Sequence, residues 1–294
     1  MTPCVLSVGE IIWDVYPNSR VIGGALLNFA AHCKLCGVQS FLLSGVGNDD
    51  LGREALAFLE RVGVNTQYIA SLPYPTGQCK VTLNESGLPH YKLEQNVAYD
   101  HFAVTEELLR AVKQKQFDAC AFGTLIQRTP KARVALKKLL SVGAFREIFC
   151  DVNLRPDCYD AESIDFCLSN ATILKVSREE EPELRRLGVY ETDGDTPPEI
   201  VQAIVNRYPQ IHTVLLTDGG NGAYAYFAPE KELLFEPARK VKVASTVGAG
   251  DSFGAAWLAS YLTDATRIQC LKKATDVSGY VVSCLDAVPL EGYL

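Results

Sequence analysis

Near the end of the chain, Gly248, Ala249 and Gly250 stand directly before one carboxylate, Asp251, and an apolar run follows to Leu262. Residues with little or no side chain let backbone N–H groups converge at the start of a helix, where unsatisfied donors and the helix dipole attract anions. A donor cluster aimed in advance lowers a phosphoryl-transfer barrier by about 3–4 kcal/mol per essential donor. Asp251, at the mouth of that anion site, is a candidate catalytic base. It is expected to be ionised at neutral pH, because an Asp starts near pKa ~4 and nearby amides lower it further. The plainer role is a helix cap, worth about 1 kcal/mol, but a cap alone does not call for small residues at all three preceding positions.

Other polar residues could serve a ligand beside it. In GGALLNFAAH, Gly23 and Gly24 admit a ligand close to the backbone, and Asn28 offers both donors and an acceptor. Asp14 reads as the end of the first strand pair, and carboxylate with carboxamide can grip vicinal hydroxyls; a turn Asp and a capping Asn are the bland equivalents. DVNLRPD lies where a strand gives way to a loop, the side on which α/β sheets bind ligands. There Arg155 can fork onto phosphate oxygens and Asn153 can donate to them. Glu180, in SREEE, is a candidate for ordering water on magnesium or else a surface carboxylate. TDGGNGA, Thr217 to Ala223, is tight enough to lie along a nucleotide. The chain has no GxxxxGK[ST] loop, and GVGNDDLG misplaces the third glycine of a dinucleotide fingerprint.

The composition of the 294 residues, 48% hydrophobic and 21% charged, is that of a globular protein with an ample core. A net charge of −7 repels nucleic acid, although a local donor cluster still suits a mononucleotide. MTPCVLSVGEIIWD has neither a basic nor a long apolar leader region, and no apolar run reaches the ~18 residues of a membrane span. The ten cysteines are therefore expected reduced, in the cytoplasm. Cys33 and Cys36 sit beside His32 but inside an apolar helical pattern, which suits packing better than metal.

Short apolar runs alternate with helical patterns. Strands are expected in CVLSVGEIIWDVY, QSFLLSGVG, FDACAFG, REIFCDVN, ATILKVS, TVLLTDGG and GAYAYFA, with helices ending at the Gly37 and Gly63 stops, in KARVALKKLLSVG and REEEPELRRLG, and two more from Asp251 onward. Such alternation implies an α/β fold with a mostly parallel sheet covered on both faces. Thr76 to Asn96 breaks it: two polar-alternating strands around Glu85-Ser86-Gly87 read as a projecting flap or an edge hairpin.

Taken together, GGALLNFAAHCKLCG and STVGAGDSFGAAW resemble the N- and C-terminal signatures of the ribokinase-like (phosphofructokinase-B-type) sugar kinases. The similarity runs nearly end to end, and GEIIWDVYP with DVNLRP is most similar to fructokinases. The resemblance implies one three-layer α/β/α domain over 1–294 with a small β-sheet lid from about 10–24 and 74–100. It implies ATP with Mg2+, and phosphorylation of D-fructose to fructose 6-phosphate. Ribose, 2-keto-3-deoxygluconate or a nucleoside are the other acceptors; a nucleoside would need aromatic rings such as Phe29, Tyr91 and Tyr99. A sensing binder without chemistry is the alternative from another class. By the same resemblance Asp251 is the general base and Gly248, Ala249 and Gly250 the anion hole. Asp14, Gly23, Gly24 and Asn28 fall at the sugar, Asn153 and Arg155 at the transferred phosphate, Glu180 at the magnesium shell, and Thr217, Gly219 and Gly222 at the nucleotide. Lid strands of this family pair between subunits, which admits a homodimer. Three positions depart from the pattern. Ser245 replaces an acid associated with a monovalent-cation site, so cation activation is not expected. Ser177 replaces an Asn, and Asp286 a commoner glycine.

Overall fold

The computed structural model describes residues 2–83, 89–114, 116–142 and 145–291, with backbone alone at 81–83 and 89–91. The turn expected at Glu85-Ser86-Gly87 lies outside the described residues. The chain opens with β1 (Cys4–Val8), followed by β2 (Ile12–Tyr16), β3 (Ser19–Gly23) and α1 (Ala25–Leu35). Next come β4 (Gln39–Gly47), α2 (Asp50–Val62), β5 (Ile69–Leu72), β6 (Gly77–Leu83) and β7 (Pro89–Leu93). The middle of the chain holds α3 (Glu106–Lys113), β8 (Ala119–Gly123), α4 (Pro130–Leu140), β9 (Glu147–Asp151), α5 (Ala161–Asn170), β10 (Ile173–Ser177), α6 (Glu181–Arg186) and α7 (Pro197–Arg207). It closes with β11 (Thr213–Thr217), β12 (Gly222–Phe227), β13 (Glu232–Pro237), α8 (Ala249–Leu262) and α9 (Arg267–Val282).

The main sheet runs in the order β13-β12-β11-β10-β9-β8-β1-β4-β5. It is parallel from β11 to β5, with β12 and β13 antiparallel at one edge. β1, β8 and β10 are apolar runs buried almost throughout, as a sheet covered on both faces requires. Alternate residues feed two cores. Leu6, Cys120, Cys150 and Leu174 face one helical layer, while Val5, Ala119, Phe149 and Ile173 face the layer that includes α1 and α8. The chain begins at β1, builds β4 and β5 on one side, then crosses to β8 on the other. The strand ends near β1 and β8 therefore border the crevice where such sheets take ligands.

α2 shows why local chemistry suffices for many of these elements. Asp49 accepts from the Gly52 N–H at 2.8 Å at its start, and Gly63 closes it in the left-handed conformation. Three helices, α3, α5 and α7, go beyond those read from sequence, as do β3, β5 and β13.

A second sheet has the order β3-β2-β6-β7. The two strands expected within Thr76 to Asn96 are β6 and β7, and they join β2 and β3 in a separate small sheet, as expected for about 10–24 and 74–100; β6 is an inner strand, pairing in parallel with β2 from Ile12↔Gly77 to Val15↔Lys80. The placing of Asp14 is corrected: the residue lies in the middle of β2, opposite Val21 and Cys79, rather than at a strand end.

α8 packs closely on α1 and the sheet because Gly254 has no side chain. A Cβ there would stand 2.9 Å from Phe149 and 3.3 Å from Phe29. Gly254→Val should cost about 1–3 kcal/mol by overpacking, measured by urea unfolding. Unchanged stability would contradict this packing.

Candidate active site

The start of α8 is shaped by Gly248, whose φ of 80° no other residue adopts without strain. A Cβ at that position would also come within 2.8 Å of Ala287. No side chain caps the helix; the Ala249 N–H donates to the Thr246 carbonyl at 3.3 Å, and the first N–H of the regular ladder is that of Ser252, which donates to the Gly248 carbonyl at 2.9 Å. Ser245, where the resemblance places an acid, accepts from the Val247 N–H at 3.2 Å through its hydroxyl, a local turn bond.

Asp251, in the first turn of α8, accepts a 2.8 Å hydrogen bond from the Asn28 carboxamide on α1. The residues that start α1 explain how Asn28 gets there. Gly24 has φ 110° and passes so close to the backbone that a Cβ would meet the Glu10 carbonyl at 2.4 Å. Glu10 in turn accepts from the Ala25 N–H at 2.6 Å, fixing the first turn of the helix. Gly23, opposite Ile12, leaves open the space toward the Asp14 carboxylate.

Two acceptors here have no protein partner among the described residues: Oε2 of Glu10, which is 2% exposed, and Oδ1 of Asn28, which is 3% exposed. A buried acceptor left unpaired costs roughly 1–3 kcal/mol, so both are set up for a ligand that donates. Glu10 lines a small pocket with Gly123, Thr124, Asn153 and Arg155. Asn153 holds φ 40°, turning the chain out of β9, and Arg155 is exposed at the pocket mouth.

Electrostatics tie these groups together. Burial raises the pKa of Glu10 and of Asp14, and the Arg155 charge offsets part of the rise in each. Asp251 is pushed up to about 7, chiefly by burial. The Asn28 hydrogen bond pulls it down, the Asp151 charge pushes it up, and Lys175 and Arg155 pull it down. The expectation of a fully ionised Asp251 at neutral pH is therefore corrected: the protein packed around it outweighs the amides. On the floor, Lys175 donates to both oxygens of Asp151 at 2.9 and 2.8 Å, and both side chains are buried.

Glu180 sits elsewhere than a bare metal ligand would. Its carboxylate accepts from the Leu154 N–H at 2.8 Å and from the Ser177 N–H and hydroxyl at 2.9 and 2.8 Å. It clasps the loop after β9 to the end of β10, and one lone pair remains for ordered water. No cluster of three or more His, Cys, Asp or Glu suited to a metal occurs among the described residues. Thr217 ends β11 and its carbonyl accepts from the Arg178 N–H at 2.9 Å, which links its loop to the clasp. Gly219 lies in open space at φ 48°, and Gly222 at φ 136° passes against the Glu236 carbonyl.

Sequence reasoning missed two residues of this site, Glu10 and Lys175. Each is a charge inside an apolar stretch, VGEII and ILKVS, and that misfit is the visible sign of both. The remaining polar oddities are structural. His32 donates to the Ala287 carbonyl at 2.8 Å, and burial lowers its pKa to about 4. Cys33 is fully buried. Among the described residues no helix is long and apolar enough to cross a membrane.

Residues 8–290 match the model of the pfkB family of carbohydrate kinases, and the chain belongs to that family. It is 26% identical to the fructokinase of Salmonella typhimurium, over 88% of this chain and 85% of that one. It is also 26% identical to the fructoselysine 6-kinase of Escherichia coli, over 92% and 93%. In fold it is similar to a fructokinase from Xylella fastidiosa solved with bound ATP, with TM-score 0.85, 17% identity and 98% and 94% of the two chains covered. Arabidopsis thaliana ribokinase, solved with ribose and ATP, gives TM-score 0.79 at 20% identity, covering 98% and 95%.

The raised Asp251 pKa has a consequence for stability. From 3.8 toward about 7 the folded state holds a proton that the unfolded chain has released, so stability falls as pH rises through that window. Asp251→Asn removes the penalty. Its melting temperature should exceed that of the parent at pH 8 and by less at pH 5; equal offsets at the two pH values would contradict the raised pKa.

Proposed function

We propose that the chain transfers the γ-phosphoryl group of ATP to a sugar hydroxyl, and that the sugar is D-fructose, phosphorylated at its terminal hydroxyl to give fructose 6-phosphate. The observation that carries this reading is the Asn28–Asp251 contact at an uncapped helix start, with the orphaned acceptors of Asn28 and Glu10 beside it. Donors must come from the ligand, and a polyol supplies them. Membership of a carbohydrate kinase family, with relatives named fructokinase and fructoselysine 6-kinase, supports the same choice.

Asp14 and the free carbonyl of Asn28 would accept sugar hydroxyls, and Gly23 and Gly24 would let the ring approach. Asp251 takes the proton of the attacking hydroxyl as its oxygen bonds to the γ-phosphorus and the bond to the β–γ bridging oxygen breaks, releasing ADP. A base with pKa about 7 suits this work near neutral pH. The N–H groups of Gly248 to Gly250, together with Asn153 and Arg155, would receive the charge on the moving phosphoryl group, so positioning and electrostatics supply most of the rate. Thr217, Gly219 and Gly222 would lie along the nucleotide. Magnesium travels with a triphosphate and keeps several waters, which fits Glu180, whose single remaining lone pair could order one; bound there, it would neutralise phosphate charge. The β3-β2-β6-β7 sheet, carrying Asp14, would close as a lid and exclude water.

A nucleoside acceptor is disfavoured. Phe29 is buried against Phe149 and Tyr99 lies in the core beneath Arg128, so neither ring offers a face to a base. The Tyr91 side chain lies outside the described residues.

The direct test is ATP consumption over a panel of fructose, ribose, 2-keto-3-deoxygluconate and nucleosides, with fructose expected to give the highest kcat/KM. On that substrate the rate should climb tenfold per pH unit below about pH 7 and level off above it. Asp251→Asn should lose about 10²–10⁴ in kcat or more while still binding sugar and ATP; turnover near that of the parent would sink the assignment. Because Ser245 brings no carboxylate, exchanging potassium for tetramethylammonium at constant ionic strength should leave kcat unchanged, and a strong drop would show a cation site built from other groups.

A further inference from the structure

The floor of the site carries a charge that the scheme above does not use. Glu147, Phe149 and Asp151 alternate along β9 toward the α8 layer, and Ile173, Lys175 and Ser177 along β10 do the same. Asp151 and Lys175 are direct neighbours in the parallel register. α8 runs over this column: Gly254 rests against Phe149, and one turn earlier Gly250 rests against Lys175. A Cβ on Gly250 would stand 3.0 Å from the Lys175 ammonium and 3.5 Å from its Cε. Gly250 has no positive φ to account for its identity. The space its side chain would fill is where the ammonium comes up beneath the loop.

An ammonium has three N–H donors. Two are directed to Asp151, and no protein acceptor takes the third among the described residues. Burial works against the charge of Lys175, yet Asp151, with Glu180 and Asp251 beyond it, holds its pKa above the ordinary lysine value. Lys175 is thus a permanent cation directly under the first turn of α8. A buried ion pair is weak evidence of a purely stabilising role, since apolar residues of similar size often serve stability as well or better.

We propose that Lys175, held by Asp151 beneath Gly250, is the fixed positive charge of the anion hole and stabilises the phosphoryl group in transfer, a role that rests on the kinase reading above. Asp151 is then a positioning residue that keeps the ammonium in place. The pair's two charges also act oppositely on Asp251, which leaves the base near neutrality while the phosphoryl group meets a cation.

The test uses the full chain carrying Asp151→Asn and Lys175→Met together, so that no lone charge is buried. The variant should melt at or above the parent temperature, keep KM for the sugar, and lose about 10²–10³ in kcat, the size of a lost anion-hole component. Its affinity for ADP with aluminium fluoride and magnesium should fall by about 100-fold while affinity for ADP alone holds, a split that a structural role would not produce. Should the double variant not fold, Gly250→Ala displaces the ammonium while keeping every N–H donor and both charges; it should lose at least about tenfold in kcat at nearly constant melting temperature. A folded variant with kcat within about threefold of the parent and undiminished aluminium fluoride binding overturns the proposal. If the parent phosphorylates no sugar, the kinase reading fails by itself, and the aluminium fluoride comparison still decides whether Lys175 serves an anion.

Discussion

The close seating of α8 on the sheet is the constraint from which the site follows. The anion-attracting power of a helix start fades within one turn, so it is useful only where packing brings that turn to the ligand. Gly254 against Phe149 and Gly250 against Lys175 let the helix axis approach the strands more closely than ordinary side chains would allow. The same approach carries Asp251 to the end of β9 and β10, within hydrogen-bond reach of Asn28 on α1. α1 is placed by an equivalent device, the meeting of Gly24 with the Glu10 backbone and the cap that Glu10 provides. Two helices from opposite ends of the chain thus converge through small residues at their first turns.

That convergence concentrates acids. Glu10, Asp14, Asp151 and Asp251 all have raised pKa values, each chiefly through burial, and Lys175 and Arg155 offset only part of it. With Oε2 of Glu10 and Oδ1 of Asn28 unpaired, the local arrangement is worse for stability than an apolar plug of the same volume would be. Violations of this kind are expected where function, and not stability, selects the residues.

What could be read in the sequence divides along the same line. Gly24, Gly248 and the carboxylate after VGAGD were legible because their demands are local: a backbone angle, a close approach, a donor cluster. The parallel sheet was legible because its strands are buried runs between helical patterns. α5 and α7 went unread although Asp160 and Thr196 begin them with capping boxes and α7 buries Ile200, Val201, Ile204 and Val205 at helical spacing. β3 is mostly exposed and carries no buried-strand pattern. Lys175 and Glu10 depend on partners distant along the chain, as does the elevated pKa of Asp251. Local reasoning placed that carboxylate among amides and had no view of the protein packed around it.

The strand ends also bind the two halves of the site to one another. Glu180 joins the Leu154 N–H, after β9, to Ser177 at the end of β10, and the Arg178 N–H then joins the Thr217 carbonyl at the end of β11. The loop carrying Asn153 and Arg155 is thereby held in register with the loop carrying Gly219 and Gly222. Ser177, where the family pattern has an asparagine, does not loosen this chain of bonds. Its hydroxyl donates to Glu180 at 2.8 Å and accepts from the Glu180 N–H at 3.2 Å, so the shorter side chain satisfies both ends of the clasp. For a reaction governed by alignment, a misplacement of one loop relative to the other would cost more than the loss of any single contact. The clasp fixes the two loops relative to each other, and under the proposed kinase reading that alignment is what the Glu180 carboxylate would contribute.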